Sequence, residues 1–86
     1  MTATAALATV RRLGAAGSYY ILPHARQQAQ RRGVTPTDIR HGLENALAAS
    51  WQPDHGTWKV RSTDVDGGDL TLAVTIEASV IVVTVF

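Results

Sequence analysis

Eighty-six residues with a formal net charge of +1, 45% hydrophobic and 17% charged, describe one small folded domain, residues 1–86, and exclude a disordered chain. The absence of cysteine excludes disulfides, thiolate nucleophiles and cysteine metal sites, and fits a reducing cytoplasm. No apolar run reaches the roughly 20 residues of a membrane helix, and a chain this short holds a surface cleft rather than a deep, many-layered active site.

Residues 3 to 16 are Ala-rich, with Leu7 or Ala6, then Val10 and Leu13, at helical spacing. Arg11 and Arg12 fall near the end, where the helix dipole favours cations, and Gly14 and Gly17 end the helix. Met1 to Gly17 is too weakly apolar for a secretory signal, so the chain reads as cytoplasmic. Ser18 to Leu22 is a short apolar, aromatic piece, a brief strand or an extended link that tucks Tyr19 or Tyr20 against the core. Pro23 suits the first turn of a second helix and Gly33 the left-handed position past its end, which makes residues 23 to 32 a short basic helix. At about 100° per residue His24, Gln28 and Arg31 share one side of it, flanked by Arg32.

Thr35-Pro36-Thr37-Asp38 reads as a capping box with Asp in place of Glu. It opens a third helix from Pro36 to about Ala49, with Ile39, Leu43, Ala46 and Leu47 as its apolar stripe and Arg40, His41 and Glu44 opposite. From Trp51 the period changes. Thr57 to Thr63 alternates, with Trp58, Val60 and Ser62 on one face and Lys59 and Arg61 on the other. The run DVDGGD is a turn, and Leu70 to Ile76 alternates again, which predicts an antiparallel hairpin. The closing VIVVTVF, β-branched nearly throughout and interrupted by Thr84, suits a strand buried on both faces. The whole is an α+β pattern, three N-terminal helices packed on one face of an antiparallel β-meander of three to four strands.

With that order of elements, His24-Ala25, Arg32-Gly33-Val34-Thr35 before a helix, the Trp58-Lys59-Val60 strand and the Val82-Val83-Thr84-Val85 strand resemble the bacterial ribonuclease-toxin superfamily. This includes RelE-like toxins, barnase-like nucleases and motility quorum-sensing regulator toxins, and the nearest likeness is to a domain-of-unknown-function family within it. VRRLGAAG and DHGTWKV look like the quorum-sensing regulator toxins in particular. The resemblance implies a RelE/barnase-like fold and a small type II toxin–antitoxin toxin, a metal-independent endoribonuclease that cleaves mRNA through attack by the ribose 2′-OH. It also implies a cognate antitoxin as partner and RNA, ribosome-associated in some relatives, as target. His24 and Arg32 match the family's helix positions and Lys59 its basic strand position. Gln28 stands where many relatives carry Arg, and Leu70 or Leu72 where the quorum-sensing regulator toxins carry Tyr.

Such cleavage needs a base for the 2′-OH, an acid for the leaving oxygen and cations for the charge on phosphorus. The catalytic set read here is His24, Arg32, Lys59 and Arg61, with RNA contacts from Arg31, His55, Gln28 and Thr84. Trp51, Trp58, Tyr19 or Tyr20 can stack an unpaired base. Each has a plainer reading beside it: His24 as a bond to a neighbouring strand, His55 as a turn residue, Arg31 and Arg32 as answers to the helix dipole, Trp58 as core. His41 reads as surface. No two histidines are spaced i, i+4, so neither a metal nor another cofactor is expected. The alternative function is a catalytically inactive RNA- or protein-binding module of the same fold. An edge at the apolar last strand would also invite pairing into a homodimer.

Overall fold

In the computed structural model, which describes Met1–Phe86, helix α1 (Ala3–Ala15) begins at Thr2, whose hydroxyl accepts the Ala5 N–H at 3.1 Å. Ala6, Val10 and Leu13 are its buried stripe. Gly14 lies inside the helix rather than ending it: a Cβ there would stand 2.7 Å from the Leu43 Cβ, so the backbones of two helices meet at this glycine. The chain turns at Gly17, whose φ is 73°, into strand β1 (Tyr19–Ile21).

Helix α2 (Pro23–Arg31) buries Ala25 and Ala29, and helix α3 (Pro36–Glu44) follows after Gly33. The capping box forms: Asp38 N–H donates to the Thr35 hydroxyl at 3.0 Å, and Thr35 N–H donates to the Asp38 carboxylate at 2.9 Å. The other Asp38 oxygen accepts the Val65 N–H at 3.1 Å. These amides, Thr35 foremost and then Val65, hold the Asp38 carboxyl below its ordinary range.

The third helix ends at Glu44, not near Ala49, and Ala48–Gln52 is strand β2. Asn45 stops the helix by donating its side-chain amide to the His41 carbonyl at 3.0 Å, and Arg11 donates to the Ala46 carbonyl at 2.7 Å, fixing the link. Backbone pairing with strand β3 (Thr57–Thr63) overrides the helical propensity of the Ala-rich run. Strands β4 (Asp69–Ile76) and β5 (Val80–Val85) complete a sheet ordered β1-β5-β4-β3-β2.

The sheet is therefore five-stranded and mixed, where an antiparallel meander of three to four strands was expected. The chain leaves β1, crosses the sheet through α2 and α3, and returns by hairpins until β5 arrives parallel to β1. A Ser18–Ser79 hydroxyl pair at 3.0 Å and the bond from Val80 N–H to the Ser18 carbonyl at 3.1 Å hold that meeting. The last strand is thus interior, not an edge, and β1 and β2 are the edges. Nor is it buried on both faces: Val80, Val82 and Val85 enter the core, while Ile81, Val83 and Thr84 stay half-buried. All three helices contribute to one continuous core on one side of the sheet. The other side is left to the solvent.

Candidate functional site

Cross-strand partners share a face, and the register defines the uncovered one. Arg61 lies between Ala48 and Thr71, and Lys59 between Ser50 and Ala73. Ala73 in turn faces Thr84. A register shift at Ala73/Val74 makes Val83 the extra residue of a bulge and keeps Thr84 on the outer face. Strand spacing of about 4.8 Å puts Thr84 roughly 10 Å from Lys59.

At one end of this face Gln52, His55, Thr57, Lys59, Ala73 and Phe86 line a depression of about 290 Å³. Buried Thr57 and Ala73 form its floor. His55 is held in the β2–β3 turn, where its N–H and that of Gly56 both donate to the Gln52 carbonyl, at 3.1 and 2.9 Å. Phe86 is tied through its N–H to the Thr71 carbonyl at 3.0 Å, and the Lys59 ammonium lies 5.9 Å from its ring centroid. An exposed cation–π contact is worth about 0.5–1 kcal/mol, against about 1.5–3 kcal/mol for a hydrogen bond to a charged group. The contact with the ring is therefore the weaker of the two and leaves the ammonium open to a charged acceptor.

The one ion pair of the molecule is Arg40–Glu44 on α3, at 2.8 Å. It raises the Arg40 guanidinium above its ordinary value, mainly through the Glu44 hydrogen bond, and Arg40 also donates to the Ala15 carbonyl at 3.2 Å. Lys59, Arg61, Arg31 and Arg32 are exposed and have no carboxylate at ion-pair distance. Asp69, opposite Thr63, lies at the far margin of the same face.

The α2 residues arrive by a different route. β1 ends at Ile21, opposite Val82, and α2 continues along the vacated edge of β5, where the Gln28 side-chain oxygen accepts the Val85 N–H at 3.0 Å. Gln28 is thereby committed to the backbone. Going round the helix from the core-facing Ala25 and Ala29 to Gln28 in the plane of the sheet, a further turn of roughly 40–60° reaches His24 and Arg31, on the outer side. His24 is exposed and makes no hydrogen bond to a strand. Arg32 caps the helix end, its backbone N–H shared between the Gln28 and Ala29 carbonyls.

His55 and Lys59 thus share one depression, Arg61 and Thr84 share its face, and His24 and Arg31 run along the β5 margin. Gln52 belongs to no motif, Thr57 stands within DHGTWKV without a role of its own, and Phe86 only closes the last strand. The register that sets Thr84 on the outer face sets Phe86 there as well, a placement hidden while the last strand reads as buried on both faces.

A second, larger groove of about 470 Å³ is lined by Met1, Trp51, Gly56, Trp58, Thr75 and Ile76. Its tryptophans meet at a centroid distance of 5.2 Å and an interplanar angle of 58°. Trp58 is buried as core and Trp51 is half exposed. None of its lining side chains is acidic, basic or an imidazole, whereas the smaller depression holds His55 and Lys59. No three His, Asp or Glu side chains gather as a metal-ligand set, and no helix is long and apolar enough to cross a membrane. Compared with protein-family models, curated proteins and solved structures, the chain shows no significant match.

Proposed function

We propose that the outer face of the sheet binds single-stranded RNA and cleaves it without a metal, and that the protein is the toxin of a type II toxin–antitoxin pair acting in the cytoplasm. The observation that carries this is the sharing of one open depression by His55 and Lys59, with Arg61 beside them and no carboxylate neutralising the cations. His55 takes the proton of the ribose 2′-OH as that oxygen attacks phosphorus. The bond from phosphorus to the 5′-oxygen breaks, the leaving oxygen receives a proton from the Lys59 ammonium, and a 2′,3′-cyclic phosphate and a free 5′-hydroxyl remain. Arg61 and Lys59 hold the charge that builds on the phosphoryl oxygens. His24 and Arg31 guide the strand at the β5 margin, and Arg32, at the end of α2, adds positive charge nearby without facing the site.

Three helices against one face of a sheet whose outer face carries a basic strand support a RelE/barnase-like assignment of the fold. The cognate antitoxin neutralises the toxin by covering this face or by adding a strand to β2, and mRNA is attacked free or on the ribosome. Self-pairing into a homodimer would use the same β2 edge.

A second reading, a binding module without catalysis, is favoured by one specific observation: a single histidine lines the depression, so no pair of imidazoles is assembled there as acid and base. Purified protein incubated with single-stranded RNA and a chelator separates the two. Fragments ending in cyclic phosphate, lost in folded His55→Ala and Lys59→Ala variants, together with growth arrest on induction in bacteria, support the toxin. Binding without cleavage and normal growth support the module.

A further inference from the structure

Cleavage leaves three groups of the depression unused: the Gln52 amide, the Thr57 hydroxyl and the Phe86 ring. We infer that the depression is a nucleobase subsite, which takes one unpaired base of single-stranded RNA stacked on Phe86 with its edge read by Gln52. The inference rests on the outer face being the RNA surface.

The shape fits one flat heterocycle. About 290 Å³ corresponds to on the order of ten waters, ample for one base. Ala73 sets the floor because it is small; it lies opposite Lys59 on one side and Thr84 on the other, where a longer side chain would fill the space. Phe86 is 53% exposed although its backbone is bonded to β4, so strand pairing rather than core packing positions the ring. Every base offers a π-face, so stacking supplies affinity without choosing a sequence.

The choice falls to Gln52. Its side-chain nitrogen reaches only the neighbouring Trp51 carbonyl, at 3.4 Å, near the limit of a hydrogen bond. The amide therefore offers a donor beside an acceptor, the pattern that pairs bidentately with a base edge, adenine first. Thr57, the cross-strand partner of Gln52 on the floor, adds a hydroxyl. Lys59 meets the phosphate of the stacked nucleotide. Arg61, two residues and roughly 7 Å further along the strand, meets the next one.

The test is fluorescence anisotropy with the four single-stranded homopolymers carrying 2′-O-methyl groups, which cannot be cleaved, so binding is read apart from catalysis. The wild type binds them unequally, with adenine tightest. Phe86→Ala weakens all four roughly tenfold and Phe86→Tyr restores them. Gln52→Ala narrows the spread between homopolymers while the melting temperature stays unchanged. Binding that is indifferent to Phe86→Ala but lost in Lys59→Ala overturns the base subsite and leaves the RNA surface standing. Equal binding of all four by the wild type overturns the role of Gln52, and no binding at all overturns both the subsite and the RNA surface.

Discussion

Lys59 and Arg61 differ from Arg40 in what surrounds them rather than in what they are. Arg40 spends its guanidinium on Glu44 and the end of α1, whereas the two cations of β3 project from a sheet face that offers them hydroxyls, methyls and one ring. Asp38 marks the opposite case, a charge fully used by the fold. Its carboxyl is held below the ordinary 3.8 by the Thr35 and Val65 amides. A depressed folded-state value means that the unfolded chain takes up this proton first as pH falls. The stability it supplies is thus complete above the unfolded value and lost as pH drops through the folded one. The melting temperature of the wild type should fall below about pH 4, and Asp38→Asn should flatten that part of the curve. Thermal melts across an acid pH series check it, and an equally steep decline in the variant contradicts it. The capping box was readable because its partners stand three residues apart. The commitment of Gln28 was not, since Val85 lies 57 residues away and only the ending of β1 exposes its amide.

Among elements, α2 owes its place to the edge that β1 leaves unpaired. Gln28→Ala strands the Val85 N–H, at a cost of about 1–3 kcal/mol, or roughly 4–8 °C in melting temperature for each kcal/mol in a domain of this size. Gln28→Glu keeps an acceptor and should lose less. RNA affinity of the folded fraction should be unchanged, which separates this residue from Lys59. At the crossing of α1 and α3, Gly14→Ala sets two effects against each other. Alanine favours the helix by roughly 0.5–1 kcal/mol, but its Cβ at 2.7 Å from Leu43 and 3.1 Å from the Glu44 nitrogen forces the helices apart. Overpacking of that kind costs about 1–3 kcal/mol, so chemical denaturation should show net destabilisation. The existence of three helices and of strands β3 and β4 was legible from periods and turn residues, and that of β5 from its β-branched composition, though not the early end of α3 or the one-sided burial of β5. β2 was not, because Ala48 and Ala49 prolong a helical composition and only the pairing with β3 makes them a strand. β1, three residues long, is too short to carry a period.

For the whole molecule, a net charge of +1 cannot attract RNA by its field alone, so the proposed recognition rests on where the cations stand. Placing every helix on one side of the sheet gives the other side to Lys59, Arg61, His55 and Thr84, and seats His24 and Arg31 at its margin. The α+β class followed from the hydrophobic periods. The meeting of these groups on one face did not, because it depends on a mixed sheet whose first strand returns to the last. The most direct measurement is a backbone chemical-shift titration of the isotope-labelled protein with a short, uncleavable single-stranded RNA. The account predicts shifts that spread from His55 and Lys59 across Arg61 to Thr84 and Phe86, with the helix-covered face unmoved. Shifts confined to the Trp51 groove or to α1 and α3, with Lys59 and Arg61 silent, would contradict it.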